Sequence, residues 1–303
     1  MVERAIKEIE NPEELLEMGL IAGIQSGKFD NAIEFFEKAL ELQPDNSRAW
    51  FLLGLAHDSQ DNKTKGIECY KKALELNPDY VEALVNLGTD YSKIGRETLA
   101  IEYYLEALDI KPDHYAAMVN LGISYLERGD MEEAIDVCQR ALVFDSNYQL
   151  AYNTLGRAYL QLNDQAKAIE FFNKALAIDT NYYEPYNFLG LIYVDKKNYE
   201  YAIKLFEKSV KLNPKYYLAY NNLGVVFAMI GDLSGAIECF KKAVDIEPNY
   251  FEALHNLASA YEEAEDFEKA AEYEERAYGA EDEFEDEEEK EDEEVEGENE
   301  DYK

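Results

Sequence analysis

Basic residues are scarce in this chain of 303 residues: 29 lysines and arginines stand against 65 aspartates and glutamates, a formal net charge of −36 at pH 7. That balance repels nucleic acid and anionic membranes at long range, so neither is expected as a partner. The deficit is uneven. Residues 281–303 hold sixteen acids and two lysines, net −14, which leaves −22 for residues 1–280. Long apolar runs are also missing, and no stretch approaches the roughly 18 residues that a membrane span needs. Residues 1–10 contain Glu3, Glu8 and Glu10 and no apolar block, so they do not read as a secretory leader. A cytoplasmic location is the expectation.

Cysteine occurs three times, as Cys69, Cys138 and Cys239, too few and too far apart for a disulfide framework or a zinc cluster. The three histidines, His57, His114 and His255, are as widely scattered. Gly23, Gly27 and Lys28 look briefly like a phosphate-binding loop, but three residues separate the glycines instead of four, and Phe29 stands where a hydroxyl should meet magnesium. With no convergent nucleophile, acid–base pair or ligand set, the chain is expected to be non-enzymatic, with no metal and no cofactor.

What the sequence does have is a period. From Tyr217 to Asn249, apolar residues recur at spacings of three and four on both sides of Gly231–Asp232, the signature of helix, turn, helix. The same residue types return every 34 residues. Position 8 of the unit is Gly54, Gly88, Gly122, Gly156, Gly190 and Gly224, each preceded by leucine. Position 20 is alanine in seven repeats, and Gly66 is the exception. Large residues flank these small ones at position 4, from Trp50 to Leu254, and at position 24, from Phe36 to Phe240. Small side chains at a crossing let two helices approach to about 8–10 Å while large ones pack around them. Second helices stop at Pro44, Pro78, Pro112, Pro214 and Pro248.

This pattern of Trp/Tyr, Leu-Gly, Tyr, Ala, Phe/Tyr, Ala and Pro over 34 residues resembles the tetratricopeptide repeat family. The resemblance implies an all-α fold, a right-handed superhelical solenoid of helix-turn-helix repeats. Eight repeats cover residues 13–280, starting at Glu13, Ser47, Val81, Tyr115, Gln149, Tyr183, Tyr217 and Phe251. Residues 1–12 are expected to cap the N-terminus, and the acidic segment 281–303, with too little apolar surface to fold, to form a disordered tail. Terminal repeats of such arrays depart from the pattern because one face meets water. Repeat 1 accordingly has Gly19 at position 7 and Leu20 at position 8, and repeat 8 has Glu274 at position 24. Repeat 2 is the weakest hairpin by local propensity, since Gly66 inside a helix costs about 1 kcal/mol. Asp79 with Glu82, Asn181 with Glu184 and Asn249 with Glu252 read as capping boxes. Aromatics at positions 34 and 1, such as Tyr148, Tyr216, Tyr217 and Tyr250, read as packing at repeat junctions.

In the family, first helices line a concave groove, and the positions implied to face it are 2, 5, 6, 9, 12 and 13. Here they carry an amide row: Asn86, Asn120, Asn222 and Asn256 at position 6, with Asn153, Asn187 and Asn221 at position 5. Amides both donate and accept, so such a row can pair with the backbone of an extended peptide. It is similar to the asparagine ladder in the repeats of O-linked N-acetylglucosamine transferases. The same positions carry an apolar set, among them Phe51, Leu55, Ile123, Phe188, Leu191 and Val225, of the kind that marks a binding surface. Ten carboxylates, Glu14, Glu17, Asp58, Glu82, Glu127, Glu184, Asp195, Glu252, Glu262 and Glu263, face three bases, Arg48, Lys93 and Arg157. The lysine and arginine set with which related repeats grip acidic chaperone tails is absent. The expected function is a non-catalytic protein-protein interaction scaffold or adaptor, its groove binding an apolar or basic peptide segment or helix of a partner protein. The alternative is an acidic-tailed chaperone or assembly factor for basic proteins.

Overall fold

The computed structural model describes residues 9–25 and 27–280. The expected acidic tail and residues 1–8 of the expected cap lie outside the described residues. The first nine helices are α1 (Pro12–Leu20), which runs into a π-helical turn at Ile21–Gln25, α2 (Phe29–Leu42), α3 (Ser47–Asp58), α4 (Lys63–Leu76), α5 (Val81–Lys93), α6 (Glu97–Ile110), α7 (Tyr115–Arg128), α8 (Met131–Phe144) and α9 (Gln149–Gln161). They are followed by α10 (Gln165–Ile178), α11 (Tyr183–Asp195), α12 (Tyr199–Leu212), α13 (Tyr217–Met229), α14 (Leu233–Ile246) and α15 (Phe251–Glu263), and by α16 (267–280). No strand occurs among the described residues.

The chain divides between Asp164 and Gln165 into two compact units. In the first, α1 packs on α2, α3 on α4, α5 on α6 and α7 on α8, and each second helix also meets the next first helix. First helices touch one another as well, α1 with α3, α5 with α7 and α7 with α9. The second unit repeats this with α11 on α12 and α13 on α14, and its first helices α11, α13 and α15 lie in contact in turn. Its end is closed by α16, whose Ala277 and Ala280 are buried against α14 and α15.

What holds most of the hairpins is a ring seated on a glycine. A Cβ placed on Gly54, Gly88, Gly190 or Gly224 would stand 2.6, 2.8, 2.5 or 2.6 Å from the ring of Tyr70, Tyr104, Phe206 or Phe240, respectively. Only a bare backbone therefore admits the position-24 ring. Ala100, Ala202 and Ala236 at position 20 are fully buried in three of the same second helices. Repeat 1 makes the same contact one residue out of step. Gly19 seats Phe36, 17 residues on, whereas Gly54 and Tyr70 are 16 apart. The π-helical turn absorbs the extra residue, because a π turn holds one more residue than an α turn. The helix accordingly starts at Pro12, capped by Asn11, one residue ahead of Glu13. The departure of repeat 1 is thus a one-residue insertion in a repeat that is otherwise regular.

The residues expected to head capping boxes do not occupy the cap positions. The cap positions are the tyrosines one residue later, Tyr80, Tyr182 and Tyr250, and none makes a side-chain cap bond. The backbone turn places position 34 at the cap, so position 33 lies one residue too early. Where position 34 is Asn46 or His114, its side chain does accept from the N–H of Ala49 or Ala117, at 3.1 Å in both cases. The aromatics pair as expected, but between positions 1 and 34 of one repeat. Tyr115 meets Tyr148, Tyr183 meets Tyr216 and Tyr217 meets Tyr250 edge-on, with centroids 5.2, 4.8 and 4.8 Å apart. Inside every hairpin the turn passes through the left-handed region, at Gly27, Gly95, Gly129 and Gly231 but also at Asp61, Asn163, Lys197 and Glu265.

Candidate functional site

In the second unit the asparagines pair across repeats. Asn222 Nδ2 donates to Asn187 Oδ1 at 2.9 Å, and Asn256 Nδ2 donates to Asn221 Oδ1 at 3.0 Å. Asn187 and Asn221 are buried, at 2% and 6% exposure, whereas Asn222 and Asn256 are half-buried. The amide row is therefore two rows with different jobs. Position 5 is an interior acceptor that orients position 6, and one bond leaves much of a position-6 amide's capacity for a ligand.

Charge around these pairs is of one sign. Helices α11, α13 and α15 contain no lysine or arginine, while Asp195, Glu252, Glu262 and Glu263 are exposed and Glu184 is half-buried. Two of these carboxylates have neutral partners: Tyr182 donates its hydroxyl to Glu184 and Gln165 its amide to Asp195, both at 3.1 Å. Packing takes most of the apolar set. Phe188 stacks on Phe172 with centroids 5.4 Å apart, and Leu191 and Val225 are half-buried against core clusters. Met229, 56% exposed, is the apolar groove residue that stays at the surface here.

The first unit spends its polar groups internally. Asn86 donates to the Glu82 carbonyl of its own helix at 2.9 Å. Asn120 and the Tyr104 hydroxyl both donate to Thr89 Oγ1, at 3.4 and 3.1 Å, and Asn153 is buried. Arg48 pairs with Glu13 at 3.1 Å and Arg157 with Glu127 at 2.5 Å, so two of the three bases are matched by carboxylates one repeat back. Phe51 packs against Tyr70 and Tyr80, with centroids 5.8 and 4.9 Å apart. Leu55 is half-buried on the adjacent core cluster, and Ile123 is half-buried on α7. Adjacent first helices lie side by side, so groove-facing positions also face a neighbour.

One cluster had no sequence signal beyond the misfit glycine. Asp58 accepts a 2.5 Å hydrogen bond from the Tyr70 hydroxyl through Oδ2. Its other oxygen and Asp90 Oδ2 converge on Gly66, where a Cβ would lie 2.1 Å from the first and 3.3 Å from the second. Both oxygens are buried with no donor, and Asp90 is 1% exposed. Two carboxyl oxygens in that position are satisfied by one shared proton. Burial, then the charge of Asp58 and a hydrogen bond with it, push the Asp90 carboxyl up to about 7, against the opposing pull of Lys63 and Lys93. Gly66 is thus the space this pair occupies, and the neighbouring His57 is held below its ordinary pKa, chiefly by burial.

The cysteines are buried and free. Burial pushes the Cys138 thiol up to about 12, which leaves it a packing group. Among the described residues, no group of three or more acids, histidines and cysteines is placed to hold a metal. No helix among them is long and apolar enough to cross a membrane.

Family models agree with this architecture. Tetratricopeptide repeat models match residues 113–181, residues 47–80 and 217–250, and residues 69–102 and 239–272, and a TPR repeat model matches residues 23–61 and 190–231. No curated protein matches the sequence. Among solved structures, the Cut9–Hcn1 hetero-tetramer of the APC/C is similar at 19% identity and a TM-score of 0.67, with 88% of this chain covered. This chain spans 52% of that one, about half its length. A tetratricopeptide repeat protein from Parabacteroides merdae ATCC 43184 is similar at 19% identity and a TM-score of 0.72, covering 82% of this chain and 98% of its own. The MamA protein matches 56% of this chain and 92% of its own at 25% identity and a TM-score of 0.51. The first two likenesses speak to fold alone.

Proposed function

This chain belongs to the tetratricopeptide repeat family, a family of protein-interaction scaffolds, and we propose that it is a non-catalytic scaffold that binds a basic peptide segment of a partner protein. The binding surface in this reading is the first-helix face of the second unit. The observation that carries it is the exposed carboxylates Asp195 on α11 and Glu252, Glu262 and Glu263 on α15, with no lysine or arginine on α11, α13 or α15, flanking amide pairs already oriented by Asn187 and Asn221. A lysine-bearing extended peptide supplies both complements: cations for the carboxylates, and backbone N–H and C=O groups for Asn222 and Asn256. Half-buried Leu191 and Val225 and exposed Met229 add apolar contact. In the first unit, Asn86, Asn120 and Arg157 would play a lesser part, because their polar groups already serve their own helices and neighbours.

The test is peptide binding to the full chain by anisotropy, with matched lysine-rich and glutamate-rich extended peptides and the variant Asn222→Ala/Asn256→Ala. The lysine peptide should bind, and the double variant should weaken it about tenfold. Equal binding of both peptides, or an unaffected double variant, contradicts this reading. A second reading rests on the sixteen acids of residues 281–303: the tail itself captures basic proteins. Deleting those residues separates the two, because groove binding survives the deletion and tail binding does not.

A further inference from the structure

Second helices carry their own anomaly. Position 25, on the outward side of the second helix, is Glu37, Lys71, Gln139, Asn173, Glu207, Lys241 or Glu275 in seven repeats, but Leu105 in repeat 3. Position 29 is Glu41, Glu75, Asp109, Ala177, Lys211 or Asp245, but Val143 in repeat 4. Both stay at the surface, Leu105 at 47% and Val143 at 81% exposure. Single exposed apolar residues are ordinary, but two on neighbouring second helices, in columns otherwise polar or small, mark a surface that water is meant to leave.

A cavity of about 420 Å³ borders Leu105, framed by α6, α7 and α8. Its floor is Leu105, Leu108, Leu121 and Val137, and its rim includes Glu132, Glu133 and Asp136. It adjoins the repeat in which Cys138 replaces the usual ring at position 24. The one base on the rim, Arg140, is 3.7 Å from Asp136 and so already faces a carboxylate. Val143 stands seven residues beyond Asp136 on α8, the same helix face about 10 Å further along.

We infer that this second-helix surface is a docking site for a cationic amphipathic helix of another protein. One aliphatic side chain enters the cavity over Leu105, a second covers Val143 two turns away, and flanking lysines or arginines meet the acidic rim. The site is built in the first unit, shares no residue with the amide pairs and does not depend on them.

The probe is a labelled amphipathic peptide of leucine and lysine, with a leucine–glutamate counterpart, titrated into the full chain at moderate salt. The background attraction of a chain of net charge −36 is common to the wild type and the variants that change no charge, and cancels between them. Leu105→Gln/Val143→Ser uses residues that suit outward positions, Gln being what repeat 4 has at position 25. It should keep the melting temperature and weaken the lysine peptide about tenfold. Glu132→Gln/Glu133→Gln/Asp136→Asn should weaken it further as salt falls. Asn222→Ala/Asn256→Ala should change nothing here, so failure of this site and failure of the first-helix site remain distinct. Unchanged affinity in Leu105→Gln/Val143→Ser, or equal binding of the glutamate peptide, overturns the inference. Self-association by sedimentation that disappears in the same variant would also overturn it, by making a second copy of this chain the occupant.

Discussion

The two units carry the same hairpin but keep their polar groups in different places. In the first, Asp58, Asp90 and Tyr70 meet inside the packing around Gly66, and Arg48 and Arg157 are paired with glutamates. In the second, Ala202 and Ala236 fill position 20, Phe206 and Phe240 offer no hydroxyl, and the amide pairs and carboxylates stand toward the first-helix surface. Glycine at position 8 and the ring at position 24 hold both hairpins. Other positions decide whether a repeat uses its polar groups for its own interior or leaves them for a ligand.

Exchanging position 20 breaks this comparison most strongly. In Gly66→Ala the new Cβ would lie 2.1 Å from an Asp58 oxygen on a carboxylate tethered by Tyr70. The loss should fall at the upper end of the about 1–3 kcal/mol that overpacking costs, outweighing alanine's helix propensity. Ala236→Gly in the second unit removes a methyl with nothing polar to replace it and should cost about 1 kcal/mol. Chemical denaturation reads both. A stabilised Gly66→Ala would mean that the carboxyls do not need that space.

Titration sharpens the contrast. Folded Asp90 is held up at about 7, first by burial and then by the charge of Asp58, whereas in the unfolded chain it ionises near the ordinary carboxylate value of about 4. Between those values the folded state binds the extra proton, so stability falls as pH rises from about 4 to about 7 and then levels off. Asp90→Asn should remove that component of the pH dependence. An unchanged slope in denaturation midpoint against pH would show that the pair does not share a proton.

The smallest effect is in the hairpin turns. Lys197 holds φ 58°, where other repeats use glycine. A non-glycine residue pays for that conformation, and glycine's greater freedom when unfolded offsets part of the gain. Lys197→Gly should therefore stabilise the second unit by about 0.5 kcal/mol. A destabilised variant would show that the lysine side chain makes up for its backbone.

The framework was legible because it is periodic: glycine, alanine and aromatic columns are the packing itself. The π-helical turn was not, because a single inserted residue looks like a degenerate terminal repeat until Gly19 is seen seating Phe36. Capping boxes were misplaced by one residue, since the dihedral that marks a cap is a property of the turn and not of Asp79 or Asn181. The Asn187–Asn222 and Asn221–Asn256 pairs bridge 35 residues, and a column-by-column reading does not reveal that position 5 meets position 6 of the next repeat. Gly66 was read as a cost to its helix, because propensity does not count the two carboxyls that need its space. Leu105 and Val143 carry no sequence signal beyond being apolar in columns otherwise polar or small, and the cavity beside Leu105 is what gives that a meaning.

The central claim is that the amide-paired, carboxylate-rich face of the second unit receives a basic segment. It is tested most directly by the side-chain amide NMR signals of Asn222 and Asn256 during titration with a lysine-rich extended peptide. Both pairs of signals should shift together with the binding isotherm, and the Asn86 signals should shift less. Saturable binding that leaves Asn222 and Asn256 unmoved would contradict the account.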